Sequence, residues 1–341
     1  VRVLVTGHTG FKGAWLALWL LRQGHSVLGL ARDPEPDSLF EQADVASLLD
    51  IDARVDVQNG AEVRSFVADS APDAVIHMAA QSLVRPSYRD PRWTIETNVL
   101  GTLSVLEAVA SVESVQAAVI VTTDKVYRNT GKAEGYAESA PLGGHDPYSA
   151  SKAMADILTT SWVSSFPGKS IAIARAGNVI GGGDISTDRL MPDVIRAFSQ
   201  GEPVHLRYPE AVRPWQHVLD CLSGYTALTQ ALLVGEGQGA WNFGPDPSAL
   251  RSVKETTELA ARLWGGGASW IADGSDHPHE AEMLTLDASR ARSELGWNDR
   301  LDYESSVEWT LEWERRVRAG ESAREVTLDQ INRFEALGNV L

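Results

Sequence analysis

Two short strings in this 341-residue chain carry side chains that can move protons. Thr123-Asp124-Lys125 follows an apolar run at 117–121, and Tyr148-Ser-Ala-Ser-Lys152 opens a helical pattern. Tyr148 and Lys152 are four residues apart, so a helix puts them one turn apart on one face. An ammonium beside a phenol favours phenolate, moving a group of pKa about 10 towards neutral pH. Such a tyrosine can take the proton of an alcohol while hydride leaves its carbon, and Thr123 can bond the same hydroxyl. Asp124 and Lys125 then supply a second acid and a second base, which alcohol oxidation alone does not need. Asp124 can protonate a departing hydroxyl, and Lys125 can remove a proton α to a new ketone. The five residues read as oxidation coupled to elimination. A strand end closed by a salt bridge is the structural alternative for the triplet.

These groups need a scaffold, and the first half of the chain provides one. Apolar, β-rich runs at 1–6, 26–30, 54–57, 74–78, 117–122 and 170–176 alternate with helical patterns at 12–23, 62–69, 92–112 and 147–166. Near-continuous apolar strands separated by helices predict a parallel sheet covered on both faces, a Rossmann-type doubly wound α/β fold. Gly7-x-x-Gly10-x-x-Gly13 joins the first strand to the first helix. Glycines there permit a tight turn and close approach of a pyrophosphate to a helix N-terminus. After Gly177 the pattern loosens into a smaller mixed α/β lobe. The expected division is 1–177 for the dinucleotide, with later segments crossing back, and 178–341 mainly for substrate. Asn242–Gly244 reads as a turn, and beyond Arg318 the chain is polar without a readable packing face.

The residue that ends the second strand usually separates a ribose 2′-hydroxyl from a 2′-phosphate. Here Ala31-Arg32-Asp33 presents both answers side by side. An elimination that returns its hydride needs no separate reductant, which favours NAD, with NADP the alternative. Asp56 is a candidate acceptor for the adenine amine, and Lys152 can also bond the nicotinamide ribose. Arg175, Asn178, Asp184, Arg189 and Arg213-Pro-Trp-Gln-His217 supply polar groups, arginine being suited to bidentate recognition of a diphosphate. His277, His279 and Glu280 read as a polar loop or substrate contact, and no metal is expected.

A formal net charge of −16 argues against nucleic acid or an anionic membrane as partner. The single cysteine, Cys221, allows no internal disulfide, fits a reducing compartment, and reads as a small buried hydrophobe. The apolar run at 14–21 is far shorter than the roughly 20 residues of a crossing helix. With no leader-like segment before the first strand, a soluble, cytoplasmic protein is expected.

Taken together, these residues resemble the nucleotide-sugar 4,6-dehydratases of the extended short-chain dehydrogenase/reductase family, over nearly the whole chain. Val5-Thr-Gly-His-Thr-Gly-Phe-Lys-Gly13, Thr122-Thr-Asp-Lys125 and Arg175-Ala-Gly-Asn-Val-Ile-Gly-Gly-Gly-Asp184 are similar to the subgroup that acts on CDP-glucose. Arg213-Pro-Trp-Gln-His-Val218 and Trp241-Asn-Phe-Gly-Pro245 agree. Related dTDP-glucose and GDP-mannose enzymes typically carry Glu where Lys125 stands. The stretch 128–138 is shorter and less aromatic than the resemblance leads one to expect.

The resemblance implies one bound NAD and conversion of CDP-glucose to its 4-keto-6-deoxy product, with Thr123, Asp124, Lys125, Tyr148 and Lys152 catalytic. It implies cofactor contacts from Gly7, Thr9, Gly10, Phe11, Lys12 and Gly13 in the glycine loop, and from Arg32, Asp33, Asp56 and Val57 at the adenosine end. Ala79, Ala80, Gln81, Asn98, Thr122, Tyr148 and Lys152 complete that set. Substrate contacts are implied for Arg85, Ser87, Asn178, Asp184, Arg189, Arg213, His217, His279 and Glu280. A homodimer or homotetramer paired through the helices at 92–112 and 147–166 is implied as well. The competing readings are a nucleotide-sugar 4-epimerase or reductase, which needs no Asp-Lys pair, and a catalytically silent NAD-binding protein.

Overall fold

In a computed structural model, described for residues 1–131, 134–274 and 283–338, the strands in chain order are as follows. They are β1 (Arg2–Thr6), β2 (Ser26–Ala31), β3 (Ile51–Arg54), β4 (Ala74–His77), β5 (Ala117–Val121) and β6 (Ser170–Ala176). Then come β7 (Asn178–Ile180), β8 (Val204–Leu206), β9 (Val212–His217), β10 (Gly239–Phe243), β11 (Leu250–Ser252) and β12 (Trp270–Ala272). Seven of them form one parallel sheet in the order β10-β6-β5-β4-β1-β2-β3. All five β5 residues are buried, as expected where helices cover both faces. One face packs on helices Phe11–Arg22 and Val218–Leu233, the other on Gly60–Ser70 and Gly101–Ser111. A small sheet β11-β9-β7 and the pair β12-β8 make the second lobe, whose own core gathers Met191, Val194, Phe198, Trp215 and Leu311.

The chain crosses between the two lobes. β10 returns to the large sheet beside β6 with Trp241 opposite Ala174, so Asn242 stands in a strand and not in the expected turn. Its amide is satisfied at depth: Tyr127 donates to Oδ1 at 2.7 Å, and Nδ2 donates to Tyr136 O at 2.8 Å. Local polarity hid this strand. β3 ends at Arg54, where sequence placed its start. Its Ile-Asp-Ala-Arg run is only half-buried at the sheet edge and has little apolar signal. The single helix expected at 92–112 is three pieces, Pro91–Ile95, a π-helical turn Glu96–Leu100, and Gly101–Ser111. Such a turn inserts a residue into the helical ladder and often marks a functional position.

The polar tail is also a helix, Ala323–Leu337, started by Ser322 capping Glu325 N–H. It lays Val326, Ile331 and Phe334 into the core. Phe334 meets Trp19 edge-on with ring centres 5.6 Å apart, and Trp19 Nε1 donates to Glu335 at 2.8 Å. That apolar face is spread among seven charged or amide side chains too thinly to read without its partner helix. Cys221 is buried, as its sequence reading had it. No helix among the described residues is long and apolar enough to cross a membrane.

Candidate active site

The reacting side chains converge because each follows the carboxyl end of a parallel strand, where loops open towards a ligand. Gly7 follows β1 in a left-handed turn (φ 74°) and donates to Leu30 O at 2.8 Å. A Cβ at Gly7 would lie 2.7 Å from Ala79 N, and one at Gly13 would lie 2.2 Å from Gly7 O, so neither position admits a side chain. Gly10 is different: a Cβ there would meet only Gly7 O, at 3.4 Å, and otherwise open space. Gly10 N-caps Phe11–Arg22 with no side-chain cap and no acid in the first turn. The positive helix end therefore faces a space that a diphosphate fits.

At the carboxyl end of β2, Thr9 donates to Arg32 O at 3.2 Å. Arg32 lies 3.9 Å from Asp56 and stacks over Trp93 at 5.6 Å. Asp33 is 3.6 Å from Arg54, whose guanidinium also holds Asp52. Asp56 also accepts from Gln58 N–H at 3.0 Å, and Val57 is buried beneath Gly101. After β4, Thr6 accepts from Ala79 N–H at 3.2 Å, and Ala80 leads into Gln81, whose N–H donates to Asn98 Oδ1 at 2.8 Å. Asn98 sits in the π-helical turn and also donates to Ser151, tying this loop to the helix that carries Tyr148.

Beyond β5, Thr123 caps a short turn and donates to Asp124 Oδ1 at 2.8 Å. Lys125 Nζ lies 3.1 Å from the same oxygen. Asp146 caps helix Pro147–Ser165, with Pro147 in its first turn, so Tyr148 enters at a fixed angle. Ser87 is fully buried and accepts from Tyr148 N–H at 3.1 Å while donating to Val84 O, so it holds the backbone under Tyr148.

Burial holds the Tyr148 phenol above its ordinary value, Lys125, Thr123 and Arg189 offsetting only part of this, so the phenol is not drawn towards neutral pH as the sequence led one to expect. Lys125 is the group that most favours the charged form of the Tyr148 phenol. Lys152 is drawn instead to Val121 O at the end of β5, at 3.0 Å. Burial, and next the charge of Lys12, lower Lys152 to a pKa of about 7, with Asp156 opposing. Asp156 continues the Tyr148–Lys152 face by one more turn, a spacing signal that sequence reading passed over. It binds Arg175 through Nε at 2.8 Å and Nη2 at 2.7 Å, and accepts from Thr122 at 3.1 Å. Arg175 also donates to Tyr127 and to Glu138 O, so its fork is spent inside the protein and not on a diphosphate.

Lys125 and Tyr148 border a cleft of about 1160 Å³ between the lobes, shared by Arg85, Asn178, Asp184, Arg189 and Arg213. Arg85 pairs with Asp188 at 3.3 Å, and Arg189 reaches Ser82 at 3.4 Å. Asp184 is buried and accepts from Ser186 N–H at 3.1 Å. His217 is not brought to this cleft. It caps Val218–Leu233 through Leu219 N–H, lies between Trp15 and Trp309, and is held neutral by burial at a pKa of about 3. His277, His279 and Glu280 fall outside the described residues.

Comparison with known proteins agrees with this arrangement. The model of the NAD dependent epimerase/dehydratase family matches residues 3–244. A CDP-glucose 4,6-dehydratase of Salmonella typhimurium is 43% identical over 332 residues, covering 94% of this chain and 92% of that protein. A dTDP-glucose 4,6-dehydratase of Streptomyces venezuelae, solved with NAD bound, superposes with a TM-score of 0.80 at 25% identity, covering 94% of this chain and 98% of that one. The UDP-glucose 4-epimerase of Thermus thermophilus shares the fold, with a TM-score of 0.80 at 24% identity over 92% of this chain and 98% of its own.

Proposed function

Because the chain belongs to the NAD dependent epimerase/dehydratase family, we propose that it is a nucleotide-sugar 4,6-dehydratase using NAD, with CDP-glucose as substrate. The observation that carries this reading is the Asp124–Lys125 pair at 3.1 Å, whose lysine borders the cleft beside Tyr148. An epimerase or reductase has no use for it. When bound, NAD would supply the acceptor for a hydride from C4 of the sugar and the donor for its return to C6. The open N-terminus at Gly10 would hold its diphosphate, with Arg32, Asp33 and Asp56 towards the adenosine and Lys152 towards the nicotinamide ribose.

Tyr148, in the phenolate form that Lys125 favours, takes the proton of the 4-hydroxyl. The resulting 4-ketone acidifies C5. Passing one proton from Lys125 Nζ to Asp124 Oδ1 converts the ion pair into a neutral base and a neutral acid without change in total charge. Lys125 then removes the C5 proton and Asp124 protonates the departing 6-hydroxyl, which leaves as water. Arg85, Arg189 and Arg213 supply cations to the cleft for the sugar diphosphate.

Within this reading residues 1–177 mainly hold the cofactor and 178–341 mainly the sugar nucleotide. A second copy of the chain packs on the helical segment 92–112 and on Pro147–Ser165, where Ile95, Leu100, Met154 and Ile157 stand exposed. The single buried cysteine suits a cytoplasmic setting. The test is incubation with NAD and CDP-, dTDP- or UDP-glucose or GDP-mannose in D₂O, read by mass spectrometry and NMR. Loss of water from CDP-glucose with deuterium at C5 supports the proposal. Water loss from another sugar nucleotide overturns the cytidine assignment, and 4-epimerisation without water loss overturns the dehydratase.

A further inference from the structure

The cleft is bridged by a carboxylate that the mechanism above leaves without a task. Asp188 stands between β7 and helix Leu190–Gln200, and its Oδ1 meets two arginines. Arg85 Nη1, on helix Val84–Arg89, reaches it at 3.3 Å, and Arg207 Nη1, just after β8, at 2.7 Å. Arg207 also donates through Nη2 to the Asp188 carbonyl at 3.3 Å, so its fork grips this one residue at two points. All three side chains border the cleft and are about two-thirds buried or more. The next residue repeats the crossing, since Arg189 donates to Ser82. Asp188 holds this place with a left-handed backbone (φ 61°), which few side chains other than Asp and Asn adopt.

The two ends of the bridge are built into different lobes. Helix Val84–Arg89 also carries Ser87, whose hydroxyl accepts from Tyr148 N–H, so the helix that holds Arg85 is the one that seats Tyr148. At the other end, Leu206 of β8 and Met191 and Val194 of Leu190–Gln200 lie in the second lobe's own core. Several charges joined in a network hold a geometry better than a lone surface pair does.

We propose that Asp188 is a positioning residue: by clasping Arg85 to Arg207 it sets the distance between the lobe that holds the nucleotide and the Tyr148 that reacts with its sugar. The inference rests on the dehydratase reading given above. A carboxylate adds negative charge to a cleft meant for a diphosphate, so it opposes binding and its value lies in alignment. Misplacing reacting groups by about 1 Å can cost about 10²-fold in rate. A neutral side chain at 188 frees both guanidiniums for the diphosphate and lets the lobes lose their register.

The test measures steady-state dehydration of CDP-glucose at saturating NAD, and calorimetric binding of CDP, on the full chain. It compares the parent protein with Asp188→Asn, Asp188→Gly, Arg85→Met and the double variant of Asp188→Asn with Arg85→Met. Asn and Gly both accept a left-handed backbone, so a loss common to the two belongs to the carboxylate. In both, kcat is expected to fall about 10–100-fold while CDP binds as well as before or more tightly. In the Arg85→Met background the link is already cut, and Asp188→Asn should cost less than about threefold more. A kcat within about threefold of the parent, an equal fall in kcat and CDP affinity, or the full loss recurring beside Arg85→Met overturns the inference and leaves the proposed function standing. A parent protein that dehydrates no sugar nucleotide overturns both.

Discussion

Asp156→Asn is the sharpest structural test of how this site is held. The carboxylate is fully buried and accepts two bonds from Arg175, at 2.8 and 2.7 Å, and a third from Thr122 at 3.1 Å. Asn keeps the shape but replaces one acceptor with a donor that faces the guanidinium, and removes the countercharge. Removing one partner of a buried pair costs about 3–5 kcal/mol, because the other charge is left uncompensated. Arg175 keeps Tyr127 at 2.7 Å and Glu138 O at 3.0 Å, which places the expected loss at the lower end, about 3 kcal/mol.

The assay is urea unfolding followed by tryptophan fluorescence, comparing midpoints at unchanged slope. Arg175→Met and the double variant close a cycle. The double variant should be more stable than Asp156→Asn alone, because it no longer buries an unpaired guanidinium, with a coupling of about 1–3 kcal/mol. A loss below about 1 kcal/mol for Asp156→Asn, or a double variant no better than the single, would refute the claim that this pair braces the Lys152 helix against β6.

Three further outcomes are expected. Lys125→Met should lower dehydration about 10²–10⁴-fold and abolish C5 deuterium, with CDP-glucose affinity changed far less; full deuterium incorporation would move the base elsewhere. His77 and His217 are held neutral by burial at about 3, so the unfolded chain gains protons first as pH falls. The stability they contribute is complete above about pH 6.5 and drains towards pH 3, at about 1.4 kcal/mol per pH unit for each, whereas a flat urea midpoint between pH 6.5 and 5 would contradict this. Ile157→Glu puts a charge on the exposed apolar row of Pro147–Ser165, where Ile157 is 55% exposed. It should halve the mass seen by light scattering, and an unchanged mass would exclude pairing through that helix.

The large sheet was legible because parallel strands buried on both faces announce themselves one at a time. β5 is five apolar residues with no partner needed to recognise it. β10 and the helix Ala323–Leu337 were not, since what makes each of them regular lies elsewhere in the chain. Asn242 is tolerable in a strand only because Tyr127, Tyr136 and Asp287 complete its amide. The last helix is amphipathic only towards Trp19 and its neighbours. Side-chain direction was the other blind spot. Spacing put Lys152 beside Tyr148, but it cannot say that the carbonyl of Val121 would claim the ammonium. Nor could the residue types around Arg175 show that its guanidinium would be consumed by Asp156.

The elimination pair shows why these hidden contacts matter to the chemistry. The side chain of Asp124 is 2% exposed and that of Lys125 is 31%, though they are adjacent in sequence. Asp124 is pinned from three directions: the Thr123 hydroxyl at 2.8 Å, Lys125 at 3.1 Å, and Gly177, where even a Cβ would sit 3.2 Å from Oδ2. Gly177 joins β6 to β7, and Pro214 of β9 closes on it from the second lobe. Asp124 is therefore held at the junction of both lobes, while Lys125 reaches from it to the cleft wall. In the proposed mechanism Asp124 gives its proton to the departing 6-hydroxyl oxygen while Lys125 takes the proton of C5. The strand-end position fixes where the triplet lies, and the crossing between lobes gives its two members different exposure. An oxidation site needs only the first of these; an elimination needs both.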